Sequence, residues 1–339
     1  MRKILTLRRH PLLVMGVLFF LLIIAFLICL NTGVAKLTVT EAIRTLAGMG
    51  SDKDNLILFE FRLPRMVIAL LVGAGLAVSG AVLQAITKNE MADPGILGIN
   101  AGAGLAVILF IFFAHSSLTD IGTLSVYLMP VFALLGAILA ATLIYIFAWK
   151  RGITPVRLVL VGIGVNAAFN AIIIIFQVKM NPEDFMQATI WLSGSIWGAD
   201  WRFVLGILPW IILLIPVVLI KYRSLNVMNM GDKIATGLGV KVEKERMILL
   251  LLSVALAGAC VAVAGNIAFL GLAVPHLARK LVGAEHQVTI PTAALLGALV
   301  LLLADMVSKN LMAPSEIPVG LVVSVIAAPY FIYLLMRSN

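Results

Sequence analysis

The sequence predicts an all-α, polytopic membrane protein, and three observations carry that prediction. Of its 339 residues, 62% are hydrophobic and only 12% are charged, with a mean hydropathy of +1.12. A soluble domain of this length would need more charge to cover its surface. The charges also cluster, leaving stretches without Asp, Glu, Lys or Arg at 11–35, 66–87, 94–119, 121–149, 158–178, 203–220, 247–278, 288–304 and 317–336. A membrane-spanning helix needs about 20 apolar residues, so nearly every stretch is long enough to cross a bilayer. Finally, these runs are continuously apolar rather than alternating, which excludes a transmembrane β-barrel.

The elements follow in order. The run from Pro11 to Ala35 comes after Arg2, Lys3, Arg8 and Arg9. It is too long for a signal peptide and has no A-x-A-like close, so it reads as a first membrane helix with its N-terminus inside. Residues 37–48 read as a short extracellular helix, with Thr38 and Glu41 forming a capping box and Gly48 ending it. They belong to an extracellular segment, 36–61. The segment FRLPR (61–65) then puts two arginines and a proline at the lip of the next apolar run. Within that run Gly73, Ala77 and Ala81 recur every four residues, as do Gly75 and Ser79, allowing close helix approach.

The 247–278 stretch is too long for one comfortable pass. Gly265, Gly271 and Pro275 interrupt it, and Arg279 and Lys280 follow. A short second helix over about 271–283 gives ten crossings, with both termini cytoplasmic. That count places most of the 25 Lys and Arg residues on inner loops, as the positive-inside rule requires. It also explains the net charge of +9 without nucleic acid. A shift of 181 residues aligns Arg65-Met66 with Arg246-Met247 and Pro94 with Pro275. Since Arg65 falls outside and Arg246 inside, the chain is a candidate for an inverted repeat of five helices each. The whole, 1–339, reads as a single transmembrane domain.

Enzyme signatures are absent: no phosphate loop, no HExxH, no nucleophile elbow. His10, His115, His276 and His286 are scattered and read as loop or interfacial histidines, while Cys29 and Cys260 lie within apolar runs. Neither a metal site nor a disulfide framework is indicated. An ion-coupled carrier would bury ionisable groups near the midplane. The helices lack them apart from Asp305, which reads as the partner of Lys309 at i,i+4. The energy source is therefore another subunit.

Two features are left for function. Gly162, Asn166 and Asn170 share one stripe of the 158–176 helix, which suits either interhelical hydrogen bonds or a polar lining. The cytoplasmic loop 221–246 is too basic to enter the bilayer, yet Met230, Ile234, Leu238 and Val240 give it apolar contacts to offer a partner.

RLPR at 62–65, followed by GAGLAVSGAVLQAITKNEMADPGILGINAGAG (73–104), resembles the signature of the FecCD-type permeases. The resemblance runs on through WLSGSIWGADW (191–201), MGDKIATGLGV (230–240), IAFLGLAVPHLARKLVGAEHQ (267–287) and ADMVSKNLMAPSEIPVGLVVSVIAAPYF (304–331). It covers almost the whole chain, in order. It implies the non-catalytic membrane subunit of an importer for an iron(III)–siderophore, with cobalamin or haem as alternative cargoes, in the cell membrane. The implied partners are two ATPase subunits, which carry the ATP and Mg, a second permease (copy or paralogue), an extracellular binding lipoprotein and membrane lipid. No cofactor sits on this chain.

The resemblance also assigns residues. Arg62, Arg65 and Lys309 would dock the binding protein, with lysine keeping the charge but not the bidentate geometry of an arginine. Gly231, Asp232, Ile234, Ala235, Gly237, Leu238 and Gly239 would form the coupling segment, its helix over 231–237 seated in a cleft of the ATPase. Asn89 and Pro94 would belong to an inner gate. Gly162, Asn166 and Asn170 would line the pathway.

Overall fold

The computed structural model describes residues 10–33, 38–117, 124–150, 152 and 154–337. Arg2, Lys3, Arg8, Arg9, Lys36 and Arg151 lie outside the described residues, as do the side chains of His115 and Arg337. Among the described residues every regular element is helical: α1 (Pro11–Asn31), α2 (Val39–Leu46), α3 (Asp52–Asn55), a π-helical stretch (Leu56–Arg62), α4 (Leu63–Thr87), α5 (Ile99–Ser117), α6 (Leu124–Ala148), α7 (Pro155–Lys179), α8 (Pro182–Leu192), α9 (Trp201–Ile220), α10 (Tyr222–Asn229), α11 (Asp232–Gly237), α12 (Val242–Ala264), α13 (Leu270–Val282), α14 (His286–Asn310) and α15 (Val319–Arg337).

Among the described residues seven helices are long and apolar enough to cross a membrane: α1, the continuous helix Asp52–Thr87, α6 over Leu128–Ala148, α7, α9, α12 and α14. Shorter apolar helices occur within α5 and α15. The chain is a multi-pass membrane protein.

Local chemistry sets the ends. Prolines open α1, α7 and α8, where their missing N–H costs nothing. Thr38 and Glu41 form the expected capping box, and Ser51 and Asp54 form a second one. The second box starts a helix at Asp52 that runs unbroken to Thr87, so 52–61 is helical and continuous with the membrane helix. Its first turns are π-helical, and Pro64 follows at the start of the regular α-helix. The 247–278 stretch breaks at Gly265, whose φ of +69° suits glycine, and resumes as α13. The segment 221–246 is not an open loop, because α10 and α11 occupy most of it.

The core centres on α4, wrapped by α12, α13 and α14, whereas α1, α7 and α9 keep most of their surface outward. Small residues permit this. A Cβ on Gly80 would strike the Gly271 carbonyl of α13, and one on Gly73 would strike the Gly297 carbonyl of α14. Ser79 and Ser253 exchange hydrogen bonds, each hydroxyl donating to the other's carbonyl at 2.8 and 3.0 Å. Gly75 lies against Cys260, and the Lys88 end of α4 lies near Arg246 at the start of α12. α4 and α12, the helices paired by the offset of 181, therefore run antiparallel, with Arg65 and Arg246 at opposite ends of the pair.

Candidate functional site

At the Arg65 end of α4, the three cations expected to dock a partner do come together. Their charged groups, however, are engaged within the chain. Arg65 donates from Nε to Asp305 Oδ1 at 2.8 Å and from a terminal nitrogen to Glu316 at 2.7 Å. The Asp305 side chain is 0% exposed and that of Arg65 13%. Arg62, 8% exposed, donates to the Leu30 carbonyl, and Lys309, 7% exposed, donates to the Cys29 carbonyl at 3.5 Å. Those carbonyls belong to the last turn of α1, which has no intrahelical donors left and carries the negative end of the helix dipole. Two of the cations thus cap α1. The expected Asp305–Lys309 pair does not form as the primary contact: Asp305 reaches across to α4, because a guanidinium satisfies a buried carboxylate better than one ammonium does.

Midway along, a cavity of about 220 Å³ opens between the segment after α4 and α7. Asp93, Asn100, Asn166, Asn170 and Asn266 supply its polar wall, with Phe269 and Ile173 among the apolar residues. Asn170 donates to the Asn166 carbonyl at 2.8 Å and to its amide oxygen at 2.9 Å, and Asn100 donates to Asn266 at 2.8 Å. The bonds of the asparagine stripe thus stay within α7 rather than linking helices, and both amides border the cavity. Gly162 does neither; it packs against Leu97. Of the gate pair, Pro94 is buried and Asn89 accepts from the Met91 N–H at 2.9 Å. Asp93 accepts from the Gly95 N–H at 2.7 Å, and burial pushes its carboxyl up to about 6 despite the backbone N–H groups that favour its charge.

At the Lys88 end, α10 and α11 are tied to the bundle at three places. Lys221 pairs with Glu245 at 2.9 Å. Asn226 accepts from the His286 N–H at 2.9 Å, sits 2.7 Å from its ring Nδ1, and donates to Gln287 at 2.8 Å. Asp232, at the start of α11, takes Lys88 at 2.7 Å and Arg246 at 2.8 Å. Burial alone would raise the Asp232 carboxyl, but those two cations hold it below the usual carboxylate range. Met230, Ile234 and Leu238 are exposed, whereas Ala235 is buried toward the bundle. Gly231 and Gly239 bracket α11 with φ of +113° and +86°, and Gly237 ends it. His276 and His286 are buried, not interfacial as expected. His286 is the one held by Asn226, while His276 Nδ1 lies 3.1 Å from Glu90.

Sequence reasoning missed Lys88, Arg246, Asn100, Asn266 and Glu316. Asn266 could have been noticed as an amide within an apolar run; the others gain meaning only from partners more than a hundred residues away or across a turn.

The profile of the FecCD transport family matches residues 21–337. The iron(3+)-hydroxamate import system permease protein FhuG of Bacillus subtilis is 58% identical, over 97% of this chain and 98% of that protein. The iron-uptake system permease protein FeuC of the same organism is 40% identical, over 94% and 96%. Among solved structures, an inward-facing metal-chelate type ABC transporter superposes with a TM-score of 0.85 at 32% identity, over 97% of this chain and all of the other. With a family profile and relatives spanning nearly its whole length, the chain belongs to the FecCD transport family.

Proposed function

We propose that this chain is the permease subunit of an ATP-driven importer that carries an iron(3+) chelate of the hydroxamate class across the cell membrane. The observation that carries the reading is the end-to-end likeness to the Bacillus subtilis hydroxamate permease at 58% identity. The chain works without a catalytic group of its own, and ATPase subunits supply the energy. Adding α5, α13 and α15 to the seven long helices gives ten crossings, with both termini cytoplasmic and the Lys88 end inside. The antiparallel packing of α4 and α12 supports the inverted repeat.

On this reading Met230, Ile234 and Leu238 face the ATPase, and Gly231, Asp232, Ala235, Gly237 and Gly239 shape and seat the segment that carries them. Asn166, Asn170, Asn100 and Asn266 line part of the pathway between this chain and a second permease, with Asn89 and Pro94 at its inner end. Arg65 and its neighbours Arg62 and Lys309 mark the face where an extracellular binding protein delivers the chelate. The pathway carries iron inside its organic shell, which suits amides better than metal-ligating side chains.

The test is uptake of radiolabelled ferric hydroxamate, cobalamin and haem, side by side, in iron-starved cells with and without the gene. Loss of the hydroxamate label alone supports the reading. Loss of cobalamin or haem alone replaces the cargo, and unchanged uptake of all three overturns the importer assignment.

A further inference from the structure

Lys88 ends α4 in the left-handed region, at φ +50° and ψ +33°. For an L-residue with a full side chain that conformation costs about 1–2 kcal/mol, and glycine or asparagine would adopt it more cheaply. A lysine held there is placed for its side chain. That side chain reaches Asp232 Oδ1 at 2.7 Å, across 144 residues, at the first residue of α11. The other carboxylate oxygen of Asp232 receives Arg246 at 2.8 Å. Arg246 is 2% exposed and is also within 3.6 Å of Glu243. The exposed Lys88–Asp232 pair alone would be weak. Anchoring by a buried guanidinium changes that, because the carboxylate which meets Lys88 is fixed at its far side.

Asp232 is therefore the meeting point of three pieces of the chain: α11, the start of α12, and the residue immediately before segment 89–98. Segment 89–98 holds Asn89, Asp93 and Pro94 and supplies part of the cavity wall. Its backbone also presses on α7, since Gly98, at φ +88°, abuts the Asn166 backbone and Leu97 covers Gly162. A displacement of α11 would thus arrive at the asparagine-lined cavity through one ion pair and one short segment.

We propose that Lys88, through its ion pair with Asp232, is a positioning residue that delivers movement of α11 to segment 89–98 and so times the opening of the cavity to ATP hydrolysis. The proposal rests on reading 221–246 as the segment that contacts the ATPase.

The test uses the whole transporter, with both permeases, the ATPases and the loaded binding protein, in proteoliposomes. Lys88→Asn removes the charge while suiting the left-handed backbone, so folding is spared. Lys88→Arg keeps the charge. The expected result is that Lys88→Asn still co-purifies with the ATPase and hydrolyses ATP at the wild-type stimulated rate. Its chelate transported per ATP falls by about tenfold, the size of a typical coupling energy, and Lys88→Arg restores most of it. A wild-type transport-to-ATP ratio in Lys88→Asn overturns the proposal, as does a Lys88→Arg variant no better than Lys88→Asn. A separate arm, Ile234→Asp, tests the underlying reading: unchanged ATPase co-purification there means that 221–246 does not contact the ATPase, whatever Lys88 does.

Discussion

Arg65 and Asp305, 240 residues apart, form a buried ion pair at 2.7 Å that pins the head of α4 to α14. Removing one member leaves the other charged and buried, which typically costs 3–5 kcal/mol, whereas replacing both by apolar residues is often neutral. Asp305→Asn is therefore expected to lower the melting temperature of the detergent-solubilised permease steeply. The double variant Arg65→Met/Asp305→Leu is expected to stay close to wild type. The pair also sets how docking must be tested. Arg65→Glu would place a third carboxylate beside Asp305 and Glu316, so its loss of uptake would mix instability with lost docking. The double variant separates them: stable but without uptake, it supports docking through Arg65; stable with full uptake, it removes Arg65 from the docking face.

The contact of Gly80 with the Gly271 carbonyl gives a packing prediction. Gly80→Ala needs α4 and α13 to separate, and overpacking of this kind costs about 1–3 kcal/mol or more. Gly206 in α9 has open space around it, so Gly206→Ala adds helix propensity without a clash, about 0.5–1 kcal/mol in its favour. Thermal unfolding of the two variants should move in opposite directions. A Gly80→Ala variant as stable as the wild type would mean that the small residues of α4 do not set its approach to α13.

These cases also mark what the sequence could and could not disclose. Helix existence was legible because the signal is local: long charge-free runs and the Thr38–Glu41 box need no distant partner. The break near Gly265 was legible for the same reason, whereas the helix over 231–237 was implied by the family resemblance. Partners were not. Asp305 sits four residues before Lys309, so local spacing favoured that pair, while its actual partner is fixed only when α4 packs on α14. Likewise the burial of His276 and His286 depends on which helices surround them, and no local pattern encodes it. The start of the membrane helix at Asp52 was hidden by the charges at 52–54 and by Pro64, both of which look like an end to apolar helix.

The face of α11 predicts two distinct failures. Ile234 and Leu238 are exposed, whereas Ala235 is turned into the bundle and fully buried. Leu238→Asp should weaken co-purification of the ATPase without altering the stability of the isolated permease. Ala235→Trp should do the reverse at first, lowering the melting temperature because the new ring has no space beneath the helix. If both substitutions left the thermal midpoint unchanged, α11 would not be seated as described.

Asp93 offers a pH test with a definite sign. Burial raises its carboxyl from 3.8 to about 6, so between those values the fold holds a proton that the unfolded chain has released. Where the folded state binds more protons, stability falls as pH rises. Asp93 is thus most favourable below pH 4, loses stability as pH climbs through about 6, and costs up to about 3 kcal/mol above that. Asp93→Asn keeps an acceptor for the Gly95 N–H at 2.7 Å and removes the titration. The melting temperature of the wild type should therefore drop between pH 5 and pH 7 relative to that of Asp93→Asn, with the variant the more stable at pH 7.5. Equal pH slopes in the two proteins would mean that Asp93 is solvated through the cavity, and would recast that cavity as water-filled up to the carboxylate.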